Sequence, residues 1–177
     1  MRYIFLLFAF LIFSDASAQD FCKQVIKEVS PDKKILDYAS PNDPDEVTYI
    51  KVTRTINVDP DYESDNFLIV LQTLGELDNI YTKDEKGEQV EKDEWKLVIT
   101  FDDNSTIVDE TLKVSHDFTS DKLQAIRSAY FPVTDAAAAQ LSTKKIAKYS
   151  LAGYEKTVSP EYANAVMHYV DCIKKAK

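Results

Sequence analysis

The chain predicts an α+β fold: a mostly antiparallel β-sheet with a short helix near 135–142 and a C-terminal helix packed on one sheet face. Three observations predict it. Two stretches, 47–58 and 95–101, alternate apolar and polar residues with period two, as half-buried strands do. Clusters of Asp, Asn, Ser and Pro separate them from further extended stretches. The last stretch, 159–177, instead repeats its apolar residues at helical spacing, with a start and a stop signal.

The first 18 residues are set apart from this fold. Arg2 precedes an apolar run over 3–13, and Ala16-Ser17-Ala18 offers a small-residue cleavage site before Gln19. That is the plan of a secretory signal peptide. The run is shorter than the ~20 residues a spanning helix needs. The expectation is a signal peptide over 1–18, a single domain over 19–177, a periplasmic or secreted location, and no membrane span after cleavage. The formal charge of −9 argues against nucleic acid as partner, because phosphate contacts need clustered Lys and Arg. It argues equally against an anionic membrane surface.

The elements follow in order. Residues 20–29 form either a helical turn or an irregular lead-in, broken at Ser30-Pro31-Asp32. Residues 34–38 suit a short strand, and the prolines and Asx residues of 40–45 suit a loop. In the strand at 47–58, Ile50, Val52, Ile56 and Val58 share one face, with Arg54 the exception. The acidic stretch 59–66 reads as a loop. Residues 67–74 are apolar almost throughout, which fits a strand buried on both faces or, in competition, a short helix. A weaker hairpin around Lys86-Gly87 has Ile80, Tyr81 and Val90 as anchors.

Trp95, Leu97, Ile99 and Phe101 alternate cleanly, Asp102 to Ser105 supply turn chemistry, and 106–114 return, so 95–114 reads as a β-hairpin. Its inward pattern slips between Ile107 and Leu112, which suggests a bulge. Residues 117–121 read as a loop. An extended segment within 123–133 ends at Pro132, which belongs at a sheet edge or a strand terminus. Thr134 caps a short helix over 135–141, where four consecutive alanines favour helix. Residues 145–151 form a further strand, 152–154 turn, and 157–158 lead into the final helix.

That helix has clear ends. Ser159 is an N-cap, Pro160 sits at the first helical position, Glu161 lies near the positive end, and Lys174 and Lys175 lie near the negative end. Tyr162, Val166, Tyr169, Val170 and Ile173 form one stripe. Cys172 flanks it, and the other cysteine is Cys22. In an exported chain the pair favours a disulfide tying the two ends of the domain together, with two buried thiols as the alternative.

The order Ala129-Tyr130-Phe131-Pro132-Val133-Thr134, alanine-rich helix, Lys145-Ile146 strand and cysteine-bearing last helix resembles small exported proteins of Bacteroidetes-type bacteria that carry no assigned activity. The resemblance covers the last third of the chain after the signal peptide. It implies an origin and a compartment and no functional residues.

Catalytic signals are sparse. His168 and Cys172 stand four apart on one helical face, a spacing that suits a nucleophile pair, but Cys172 is also the natural partner of Cys22. His168 and Asp171 suit a His–carboxylate pair, yet Gly-x-Ser-x-Gly is absent. Neither zinc nor nucleotide motifs occur, and no cofactor is expected. Asp59, Asp61, Glu63 and Asp65 alternate as in a calcium loop. Ser64 and Val70 stand where that loop needs Gly and Glu, so the stretch is either a solvated loop or a weak calcium site.

Tyr149, Tyr162 and Tyr169 are the candidates for a ligand pocket between sheet and helix, the alternative being core rings with polar tips at its edge. The expected function is an exported, non-enzymatic binding or interaction module with an unknown protein or small-molecule partner. The alternative is a carrier of a small apolar ligand in a cavity between sheet and C-terminal helix, and a carboxylate-based hydrolase comes third. A cavity lined by these tyrosines favours the carrier, and a filled core with a flat apolar patch favours the interaction module.

Overall fold

A computed structural model describes residues 21–41, 48–76, 81–83, 85–91, 94–119 and 124–176. The proposed signal peptide lies outside them, as do Val47 and Ile80. Among the described residues, and besides a helical turn at 21–24, eleven strands and two helices are arranged as β1(Ile26–Val29), β2(Ile35–Ala39), β3(Ile50–Asn57), β4(Ser64–Glu76), β5(Tyr81–Lys83), β6(Gln89–Glu91), β7(Glu94–Phe101), β8(Thr106–Phe118), β9(Gln124–Pro132), α1(Asp135–Leu141), β10(Ile146–Leu151), β11(Tyr154–Thr157) and α2(Pro160–Lys174). Nine strands form one sheet in the order β1-β2-β3-β4-β9-β8-β7-β10-β11, with every pairing antiparallel. β5 and β6 make a separate small hairpin, turned by Gly87 at φ 80°.

The sheet is curled. β8 pairs with β7 along its first half and with β9 along its second, so the long bent strand joins two sheet segments. A register shift makes the bend: Trp95 faces Lys113 and Leu97 faces Asp109, so β8 carries extra residues opposite Lys96. Asp109 Oδ1 accepts from the N–H and hydroxyl of Thr111 at 2.9 Å there, and Lys96 takes φ 96°. This is the bulge that the slipped pattern signals. Curling brings β10 and β11 back against β4. The core lies on the concave face, where Ile50, Val52, Ile69, Leu71, Leu97 and Ile99 are almost fully excluded from water.

α2 closes the concave face. It packs on β3, β10 and α1 through Ala163, Val166, Tyr169, Val170 and Ile173. Ser159 accepts from Tyr162 N–H and Pro160 occupies the first turn. Arg54 explains its own break in the β3 pattern. Its side chain lies under the C-terminus of α2, donating Nη1 to the carbonyls of Ile173, Lys174 and Ala176 at 2.7–3.1 Å. A cation there meets the negative helix end and its unpaired carbonyls. Asp65 holds the other side of the guanidinium at 2.6 and 2.8 Å.

Cys22 and Cys172 form a disulfide with Cα atoms 5.3 Å apart, bridging 150 residues. In the loop-entropy model such a closure stabilises by about 5 kcal/mol, an upper figure. Residues 21–24 are helical, and Phe21 packs its ring on His168 and Tyr169, with centroids 4.9 and 5.6 Å away.

Four sequence expectations need correction. Residues 26–29, expected to be part of a helical turn or irregular lead-in, form β1, because they pair with β2. β8 runs to Phe118, so 117–118 belong to a strand, because Ser115 to Phe118 find a new partner in β9 once the bulge has turned the chain. β4 begins at Ser64 inside the acidic stretch, since Ser64 to Asn66 pair with β3 beyond the apolar run. Residues 154–157 are an edge strand paired with β10, where a turn and lead-in are expected from their polar side chains.

Candidate functional site

Tyr149, Tyr162 and Tyr169 come from β10 and α2 and line one cleft of about 890 Å³. The helical residues Phe21 and Gln24 form one wall, and Thr48 to Ile50 and the lip Lys156 to Ser159 complete the lining. The disulfide and the Phe21 ring contacts hold the first wall against α2. The cleft therefore lies where the helical segment 21–24, the start of β3, the β10–β11 hairpin and α2 come together.

The hydroxyls are engaged inside the protein. Tyr149 donates to Gln72 O at 2.5 Å, across the interior from β10 to β4. Tyr162 donates to Ile50 O at 2.6 Å and accepts from Ile50 N–H at 3.2 Å. It occupies the ladder position that β2 leaves vacant, because β2 ends at Ala39 opposite Thr53. Tyr169 donates to Gln24 Oε1 at 2.6 Å. Burial pushes the Tyr169 phenol up from its ordinary value, so it stays a neutral donor. Burial raises Tyr49 as well, aided by Tyr130 nearby. With the polar tips satisfied, the rings turn apolar edges and faces to the cleft. Tyr149 and Tyr169 are at the same time core residues, at 2% and 6% exposure, and Tyr162 is half-buried. They are rings with bonded polar tips, two of them in the core, that border the cleft.

The other candidates are placed differently. Asp59 pairs with Lys34 at 2.6 Å and Asp65 with Arg54, whose hydrogen bonds hold the Asp65 carboxyl below its ordinary value. Asp61 and Glu63 are exposed. Among the described residues no group of three or more His, Cys, Asp or Glu is gathered as a metal set. Cys172 is bonded to Cys22, so it has no thiol to offer His168, which stacks on Phe21 instead. No helix among the described residues is long and apolar enough to cross a membrane.

A second polar cluster lies in the concave interior. Arg127, fully buried, donates Nε to Glu94 Oε2 at 2.7 Å, and His116 Nε2 lies 2.8 Å from the same oxygen. The guanidinium lies over the Tyr154 ring at 3.5 Å. A β-carbon on Gly75 would collide with Arg127 Nη1, so glycine makes room for it. Burial pushes the Glu94 carboxyl up, but the hydrogen bonds from Arg127 and His116 outweigh it and hold the group below its ordinary value. Among the described residues Nη1, Nη2 and the neighbouring Thr73 hydroxyl have no hydrogen-bond partner. Sequence reasoning passed over this cluster. The signal was there in part: Ala125, Arg127, Ala129 and Phe131 alternate, and their parity points Arg127 inward.

Comparison of the chain with protein-family models, curated proteins and solved structures finds no match.

Proposed function

We propose that this chain is an exported, non-enzymatic binding module that grips an apolar group in the tyrosine cleft. One observation carries the reading. Three rings, one from β10 and two from α2, converge on a depression of about 890 Å³ with each of their own hydroxyls already bonded. Such a surface binds through apolar contact and shape, since its tyrosines have few polar groups left to offer. A depression of that size is in the range of ligand sites, and this favours as second reading a carrier of a small apolar molecule. The half-open form of the cleft supports the module first, because a carrier encloses most of its ligand. Export and a periplasmic or secreted setting agree with the disulfide.

An apolar fluorescent dye, anilinonaphthalene sulfonate, tests the reading. Ala165 lines the cleft on α2. Ala165→Trp fills it and should abolish saturable dye fluorescence while the melting temperature stays put. Dye binding untouched by Ala165→Trp would show that the cleft is not the apolar site.

A further inference from the structure

Among the described residues β11 is the outermost strand of the sheet and pairs only with β10. Val158 N–H donates to Ala147 O at 2.9 Å, which fixes the parity of the ladder. Tyr154 and Lys156 therefore turn their backbone groups toward β10, and Glu155 and Thr157 turn theirs outward. Glu155 and Thr157 are exposed residues. The same strand supplies Lys156 and Thr157 to the lip of the tyrosine cleft. Among the described residues no strand pairs with this edge, and the edge borders the tyrosine cleft.

We propose that the cleft receives an extended peptide segment of a partner protein, added to β11 as the next strand of the sheet. The peptide backbone bonds to the outward N–H and C=O groups of Glu155 and Thr157. Every second side chain, an apolar one, enters the cleft. The proposal rests on reading the cleft as a binding site and names its occupant.

A second copy of this chain is a poorer occupant. Antiparallel self-pairing of β11 sets Glu155 against Glu155 in one register and Lys156 against Lys156 in the next, and like charges directly opposite destabilise. Of the two other registers, Thr157 facing Thr157 drives Glu155 onto Ser159, where α2 begins, and Tyr154 facing Tyr154 sets Glu155 against the turn residue Gly153, outside the strand. The charge of −9 further opposes self-association. A free small molecule uses the rings and leaves the edge unused.

Thr157→Pro tests the edge. Its N–H does not face β10, so proline removes an outward donor and leaves the internal ladder whole, as edge strands tolerate. The probe is a library of acetylated octapeptides alternating Thr with Val, Ile, Phe or Tyr. Members should bind saturably, protect the Glu155 and Thr157 amides from hydrogen exchange, and bind Thr157→Pro at least about tenfold more weakly. N-methyl groups on the peptide amides that face β11 should abolish binding, and the same groups shifted by one residue should not. If the proline variant melts early, the two N-methyl registers against the unaltered chain carry the test. Equal binding of both registers overturns strand addition. So does dye in the cleft with no peptide bound, an outcome that leaves the cleft itself standing. Neither dye nor peptide bound overturns both readings. A concentration-dependent dimer with the same amides protected makes the occupant a second copy and overturns the proposal.

Discussion

Removing the Glu94 carboxylate while keeping Arg127 should damage the fold more than removing Arg127 itself. The Arg127 side chain has no solvent exposure, and Glu94, at 11%, is its carboxylate partner. Glu94→Gln leaves a buried cation without its countercharge, which costs about 3–5 kcal/mol. For a domain of this size each kcal/mol lowers the melting temperature by roughly 2–4 °C, so the fall is roughly 6–20 °C. Arg127→Met acts differently. It forfeits a desolvated cation–π contact with Tyr154 of about 2 kcal/mol. It also removes two buried N–H-bearing nitrogens that lack acceptors, each costing about 1–3 kcal/mol. Glu94 keeps its hydrogen bond with His116 and some contact with water. The net change should lie within about 1–2 kcal/mol of zero. The double variant should recover most of what Glu94→Gln loses. Urea and thermal unfolding of the four proteins measure all of this. A loss for Arg127→Met as large as for Glu94→Gln, or a double variant worse than Glu94→Gln alone, refutes the reasoning.

Val166→Asp places an unpaired charge at 1% exposure between α2 and the sheet and should unfold the domain by circular dichroism, whereas Lys175→Asp, at an exposed ion pair, should shift stability by no more than about 1 kcal/mol. Gly75→Ala pushes a methyl into Arg127 and the Tyr154 ring and should cost about 1–3 kcal/mol in urea unfolding. Reduction of Cys22–Cys172 should lower stability by up to about 5 kcal/mol and weaken dye binding, because the Phe21 wall loses its tether; non-reducing peptide mapping should show the bridged pair in the exported chain. Glu94 and Asp65 have folded-state pKa values below their unfolded ones, so their stabilisation is present above the ordinary carboxylate range and lost as pH falls through it. Melting temperature should therefore decline as pH drops below the ordinary glutamate value of 4.5, and Glu94→Gln should decline less steeply.

Local chemistry was legible wherever it acts over a few residues. The caps at Thr134 and Ser159, the turn at Asp102 to Ser105 and the period of β3 and β7 all depend on neighbours in sequence. So does the apolar stripe of α2, and its Tyr162 and Tyr169 duly reach the cleft. β11 was missed because its polar side chains give no alternation and its pairing with β10 alone makes it a strand. Arg54 and Arg127 broke the inward pattern for reasons that lie over 100 residues away in one case and 33 in the other: a helix terminus and a lone carboxylate.

By itself the sequence determined the strands of clear period two and both capped helices, because side-chain period and capping groups are local properties of the chain. It also supplied two cysteines at its ends and tyrosines with apolar rings. Only the tertiary structure decided that the sheet curls at the β8 bulge, that β10 returns to β4, and that a cleft opens where the edge strand meets α2. Curvature is a sum over pairings between distant strands, and no window along the chain contains it.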